Sequence, residues 1–173
     1  MEPVSGKTVR WISSTGVLLA LTLVIQMLAL PQFFTGPLVN AFLLLAAVTA
    51  GVTSGVVIGL LTPWIAFMRG ILPAPLGPLI PFIMIGNAAL VIVFSLIRRR
   101  RGSLFLSGIA VAVAAVAKYL ILSNAVIWVV EVPPPVAQVM QIPQLITALV
   151  GGAIAIALET VLLRSGYLQE SRR

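Results

Sequence analysis

Long apolar stretches, separated by short connections rich in proline and glycine, make up most of the chain. These connections divide the chain into six apolar segments, at about residues 11–30, 37–50, 54–70, 79–97, 104–128 and 137–163. A bilayer core about 30 Å thick needs about 20 helical residues, so the second and third segments are short for a crossing. Apolar residues run continuously instead of alternating, which favours helices over the strands of a membrane barrel. The pattern predicts an all-α integral membrane protein, a bundle of six transmembrane helices with a tight hairpin at residues 51–55.

The first segment has an alternative interpretation as a secretory signal peptide, because Lys7 and Arg10 precede its apolar stretch. No convincing cleavage site with small residues follows, so we interpret the segment as the first transmembrane helix.

Composition agrees with a membrane protein. Hydrophobic residues make up 60% of the chain and charged residues only 9%, whereas a soluble domain has roughly 25% charged residues. No long polar linker interrupts the segments. We therefore expect one domain over residues 1–173, with short tails at 1–10 and 165–173.

Several residue types that enzymes and metal sites use are missing. Cysteine, histidine and aspartate are absent, and the four acidic residues are Glu2, Glu131, Glu159 and Glu170. Thiolate and imidazole ligands, disulfides and the usual general base are thereby excluded. A Ser/Lys catalytic pair is conceivable, but no spacing supports it. We expect no enzymatic activity, no catalytic residues, no metal and no cofactor.

Basic residues give a net charge of +7, and they lie at the edges of the apolar segments. Nine of the eleven fall on one side if the chain crosses six times: Lys7, Arg10, Arg98, Arg99, Arg100, Arg101, Arg164, Arg172 and Arg173. The positive-inside rule then places both termini in the cytoplasm. No basic groove with aromatic residues accompanies them, so we expect the lipid bilayer as a partner and no nucleic acid.

The remaining polar residues converge on the outer half of the predicted bundle. They are Asn40, Arg69, Asn87, Lys118, Asn124, Gln138, Gln141 and Gln144. Polar groups in lipid cost several kcal/mol unless they face a cavity, pair with one another or snorkel to the interface. We therefore expect a polar pocket open to the outside, in which Arg69 or Lys118 holds an acidic group of a ligand and Trp64 and Phe82 supply apolar walls.

Each of these residues also has a structural interpretation. Arg69 could snorkel to headgroups, and Lys118 could form an ion pair with Glu131. Asn40 and Asn87 could serve only to join helices.

Two further features concern the ends of the helices. Glu159 lies near the basic inner rim, which predicts a structural ion pair there. The connections LPQFFTGP, RGILPAPLGPLIP and EVPPPVAQVMQIP are rich in proline and predict non-helical caps over the pocket, unless the prolines merely terminate helices. In the first of them, Thr35 is expected to cap the second helix, with Pro37 near its first turn.

The stretches STGVLLALTLVIQM, TGPLVNAFLLLAAVTAG, IGLLTPWIAFMRGILPAP and IPFIMIGNAAL resemble substrate-binding (S) components of energy-coupling factor (ECF) transporters. They are most similar to a subgroup without an assigned substrate. The resemblance covers about residues 12–97 and weakens beyond them.

The resemblance implies a subunit of a prokaryotic plasma membrane that captures a vitamin or cofactor precursor from outside, beneath the loops. It implies three further partners, a transmembrane coupling (T) subunit and two ATPase subunits. Gly16 and Ala20 match the spacing of the two alanines that contact the coupling subunit in that family, with glycine in place of the first. The candidate substrate-binding residues are Asn87, Asn40, Arg69, Lys118, Asn124 and Gln144. The rival interpretation is a small six-helix membrane scaffold protein of the rod-shape-determining type, without a ligand pocket.

Overall fold

A computed structural model describes residues 6–28, 30–98 and 103–165, and this part of the chain is helical with no strands. The α-helices are α1 (Gly6–Met27), α2 (Gln32–Thr49), α3 (Val52–Met68), α4 (Ile80–Ile97), α5 (Leu104–Asn124), α6 (Pro134–Val139) and α7 (Ile142–Arg164). A 3-10 helix, Ala74–Leu79, leads into α4, and a π-helical turn, Ala125–Val129, extends α5.

Five helical stretches of the described chain are long and apolar enough to cross a membrane. They are Gly6–Met27, Gln32–Thr49, Ala74–Ile97, Leu104–Val129 and Pro134–Arg164, whereas α3 is shorter, with 17 residues. The exterior is apolar, since large side chains such as Phe105 and Trp128 are 79% and 80% exposed. The prediction of an all-α chain is confirmed, and the five apolar stretches suggest a membrane-embedded protein.

The start of α2 differs from the prediction. The helix begins at Gln32, because the backbone N–H groups of Phe34 and Thr35 bond to the carbonyl of Pro31 at 2.8 and 3.1 Å. Thr35 is therefore not the cap: its hydroxyl donates to the carbonyl of Leu30 at 2.9 Å. Pro37 lies inside the helix.

The proline-rich connections are also more helical than predicted. The first is largely the start of α2, the second contains the 3-10 helix, and the third contains α6. Proline occupies an early position in both short helices, where its missing N–H costs little. Proline therefore lies at the start of these two short helices, and the prediction that the connections are non-helical caps is wrong for these parts of them.

A tight hairpin between α2 and α3 is confirmed, but it is shorter than the predicted residues 51–55, because residues 52–55 belong to α3. Only Ala50 and Gly51 separate the two helices, and Gly51 has φ of +103°. This backbone conformation is accessible to glycine and strained for other residues.

Helix α2 packs against α7, α3 and α1, while α4 packs between α3 and α5, and α5 contacts α7. Two apolar clusters fill the bundle: Leu44, Leu90 and Phe94 lie in the first, and Leu43 and Ile58 in the second. A third cluster, which includes Leu76, Leu122 and Met140, lies where the 3-10 helix and α6 meet the bundle.

Small residues let the helices that carry the polar side chains approach closely, as in other membrane bundles. A β-carbon on Gly151 of α7 would lie 2.5 Å from the Pro37 carbonyl oxygen and 2.7 Å from Cβ of Asn40. A β-carbon on Gly59 of α3 would lie 3.0 Å from Cβ of Asn87. Glycine at these two positions therefore places Asn40 and Asn87 in the interior.

Candidate functional site

A partly open cavity of about 230 Å³ lies at the end of the bundle where α1 ends and α2, α4 and α7 begin. We call this the cavity end. All seven α-helices contribute to its lining, together with the connections before α2, α4 and α7.

Lys118 of α5 lies at the centre of a polar cluster in this cavity. Its side chain is only 3% exposed. Its Nζ donates to Oδ1 of Asn40 at 2.7 Å and to Oδ1 of Asn87 at 2.8 Å. One amino group thus joins α2, α4 and α5.

The orientation of the Asn87 amide is determined by a second contact. Its Nδ2 donates to the backbone carbonyl of Gly59 at 3.1 Å. With its nitrogen bound to α3, the amide presents its oxygen to Lys118.

The polar cluster has hydrogen-bond donors that its own acceptors do not use. A lysine ammonium has three N–H donors, and the two asparagine oxygens take two of those of Lys118. Each of these oxygens thereby accepts one hydrogen bond from the ammonium. The Nδ2 of Asn40 is a further donor in the same side chain, since an amide nitrogen carries two N–H groups. An acceptor, and best an anion, is the group that such a site favours.

No carboxylate in the described part of the chain contacts Lys118. Glu131 is exposed, so the alternative of an ion pair between these two residues is wrong. Glu159 pairs with Arg98 instead. Glu2 and Glu170 lie outside the described residues.

The walls of the cavity are mostly apolar. They include Val39, Pro63, Ile71, Leu72, Leu76 and Ile83. An apolar pocket with a few polar groups that converge is typical of small-molecule sites.

Three glutamines also line the cavity. Gln32, the first residue of α2, is exposed. Gln144 of α7 is buried, and its Nε2 has a weak contact with the Met140 sulfur at 3.9 Å. Gln26 of α1 is buried too, and in the described structure its Oε1 has no hydrogen-bond partner.

Sequence reasoning missed Gln26. The signal was present, since an amide stands inside the apolar stretch LVIQML. Gln26 lies near the end of α1, where a polar residue is expected to lie at the membrane–water interface.

The structure brings together four of the six predicted site residues, namely Asn40, Asn87, Lys118 and Gln144. Arg69 and Asn124 lie outside the cavity, and both are exposed. Asn124 donates to the carbonyl of Leu120 in its own helix at 2.7 Å.

The predicted aromatic walls are also wrong. Trp64 is half-exposed, and neither it nor Phe82 lines the cavity. Phe82 packs instead against the apolar cluster beside the 3-10 helix.

The predicted partner contacts lie on the surface of α1. Gly16 and Ala20 are both exposed, and a β-carbon on Gly16 would meet nothing within 4 Å. Their contact with another subunit stays a prediction.

The opposite end of the bundle carries the ion pair that was predicted for Glu159. Nη2 of Arg98 lies 2.5 Å from Oε2 of Glu159, and Nε of Arg98 donates to the Ser107 hydroxyl at 2.8 Å. The Arg98 guanidinium also lies 5.5 Å from the ring centre of Phe94. We call this the Arg98 end.

The other basic residues of this side are described only in part. Arg99, Arg100, Arg101, Arg172 and Arg173 lie outside the described residues.

Comparisons with known proteins give no match: no protein-family model, no curated protein and no solved structure is significantly similar to this chain.

Proposed function

We propose that this protein is the substrate-binding subunit of an ECF-type importer, which captures a small anionic molecule related to a vitamin or cofactor. The observation that carries the proposal is Lys118, a buried amine held by two neutral amide oxygens in a cavity and contacted by no carboxylate of the described chain. A buried charge without a partner of opposite sign is costly, and an anionic ligand would compensate it.

The proposal includes a topology. Six crossings, with both termini in the cytoplasm, would place the cavity end outside and the Arg98 end inside, as the positive-inside rule favours. The ligand would then enter from outside a prokaryotic plasma membrane.

Transport would need further subunits. A transmembrane coupling subunit could contact the exposed face of α1 at Gly16 and Ala20, and two ATPases would supply the energy. These partners follow from the resemblance of residues 12–97 to S components.

The direct test is thermal unfolding of the detergent-purified protein with a panel of vitamins and cofactor precursors, each carboxylate paired with its carboxamide. A ligand at 100 times its Kd should add about 2.7 kcal/mol of stability. We expect a carboxylate to stabilise the protein, and Lys118→Ala and Asn87→Ala to remove the effect.

Equal stabilisation by a carboxylate and its carboxamide would contradict the role of charge. Absence of any stabilising ligand, together with copurification of cell-wall assembly proteins, would favour a scaffold of the rod-shape-determining type. Copurification of ATPases and a coupling subunit would support transport.

A further inference from the structure

The polar groups of the cavity lie at two depths. Asn40 follows the first residue of α2 by eight positions, Asn87 follows that of α4 by seven, and Lys118 precedes the last residue of α5 by six. At 1.5 Å per residue these side chains lie about 9–12 Å below the helix ends. We call these three residues the floor.

The two buried glutamines of the cavity, Gln26 and Gln144, lie nearer the entrance. Gln26 precedes the last residue of α1 by one position, and Gln144 follows the first residue of α7 by two. The same helical rise puts them about 2–3 Å below the helix ends. We call them the rim, and rim and floor are about 6–10 Å apart along the bundle.

Gln26 is unusual among the buried polar residues of α1. Thr15 shares a hydrogen bond with Ser54, and Thr22 donates to the carbonyl of Leu18. Gln26 is only 8% exposed, yet its Oε1 is buried and has no partner among the described residues. Nearly all buried polar groups in proteins are hydrogen-bonded, so an orphaned acceptor in a cavity wall requires a reason. A donor on a bound ligand would supply its missing partner.

We infer that the ligand is a small monocarboxylate with a hydroxyl or amino group at its far end, and that Gln26 selects for this second group. The inference rests on the proposed function. The carboxylate would accept hydrogen bonds from Lys118 and Asn40 at the floor, and the hydroxyl or amino group would donate to Oε1 of Gln26 at the rim. The apolar walls between the two levels suit an apolar ligand body.

The volume limits the size of this ligand. A cavity of about 150 Å³ accommodates benzene, which has six non-hydrogen atoms. The present cavity of about 230 Å³ is about one and a half times as large, which corresponds to about nine non-hydrogen atoms on the same scale. A precursor with one ring or a short chain fits, whereas a complete multi-ring cofactor does not.

The test uses two pairs of carboxylates that differ only by a methyl or hydroxyl group at the far end. The pairs are 4-methylbenzoate with 4-hydroxybenzoate, and heptanoate with 6-hydroxyhexanoate. Kd is measured by calorimetry on the detergent-purified full chain, on Gln26→Leu, and on Gln138→Leu as a matched control. Gln138 is exposed and lies outside the cavity.

In at least one pair the hydroxyl compound should bind the unsubstituted protein about five- to tenfold more tightly, as expected for one additional hydrogen bond. This preference should disappear in Gln26→Leu and persist in Gln138→Leu. Without ligand, Gln26→Leu should unfold at the same or a higher temperature, because it removes an unpaired buried amide. That measurement separates loss of selectivity from loss of folding.

Equal affinities within both pairs, or a preference that survives in Gln26→Leu, would overturn the role of Gln26. If none of the four compounds binds but a larger vitamin binds in a manner that depends on Lys118, the inference fails and the proposed function stands. If no carboxylate of any size binds, both fail.

Discussion

The two ends of the bundle each bury a basic side chain, and they accommodate it in opposite ways. At the Arg98 end, the guanidinium pairs with the carboxylate of Glu159 and also contacts Ser107 and Phe94. At the cavity end, Lys118 has two neutral amide oxygens as partners.

The difference separates a structural ion pair from the proposed binding site. The charge of Arg98 is balanced by Glu159 and leaves no net charge for a ligand to neutralise, although Oε1 of Glu159 has no hydrogen-bond partner in the described part of the chain. Neutral amide oxygens stabilise the ammonium of Lys118 but do not neutralise it. An anion in the adjacent cavity can supply the missing opposite charge. Burial alone does not distinguish Arg98 from Lys118, whereas the charge of their partners does.

The largest expected effect on folding is at the Arg98 end. Glu159→Ala should destabilise the protein by about 3–5 kcal/mol, because it leaves Arg98 without its opposite charge. Denaturant unfolding in detergent measures this change. Glu131→Ala is the control, since this glutamate is exposed and a surface substitution should change stability by no more than about 0.5 kcal/mol. Similar small effects for both would show that the pair contributes little.

At the cavity end, the corresponding change should affect binding. Lys118→Met preserves the length of the side chain and removes its charge, so a carboxylate ligand should bind at least about 100-fold more weakly, or about 2.7 kcal/mol. The affinity of the corresponding carboxamide should fall much less in Lys118→Met. Calorimetry on both compounds makes the comparison, and an equal loss for both would mean that shape, not charge, is recognised.

A smaller effect on stability and binding should follow from displacing Asn87 of the floor without changing any of the three floor residues. Gly59→Ala would place a β-carbon 3.0 Å from Cβ of Asn87, so we expect a loss of about 1–2 kcal/mol of stability and weaker carboxylate binding. Gly108→Ala on α5 is the control, because its β-carbon would meet nothing within 4 Å. There, replacement of glycine within a helix should stabilise the protein by about 0.5–1 kcal/mol. Unchanged binding in Gly59→Ala would show that the position of Asn87 is not critical.

The smallest effect is expected at Arg69, a basic residue near the same end but outside the cavity. Arg69→Ala should change stability by no more than about 0.5 kcal/mol. It should also change the Kd of a carboxylate less than twofold, which titration would measure. A large loss of affinity would mean that exposed charge at this end attracts the ligand, and would weaken the contrast between Lys118 and Arg98.

Sequence alone was sufficient to predict the helical membrane class and much of the floor. Continuous apolar segments require helices in a bilayer, and counting residues along the segments placed Asn40, Asn87 and Lys118 in the outer half of the bundle. It also predicted the pairing of Glu159 with a basic residue at the other end, since an unpaired carboxylate is costly there.

The tertiary structure decided which of the polar residues meet. Depth along a helix follows from a count of residues, but the direction of a side chain depends on how the helix is rotated against its neighbours. Arg69 and Asn124 therefore lie outside the cavity although their position along the chain resembled that of the floor residues. Gln26 faces the cavity although its position near the end of α1 suggested the interface. Packing against neighbouring helices determines which face of each helix points into the cavity. The sequence of a single segment does not contain that information.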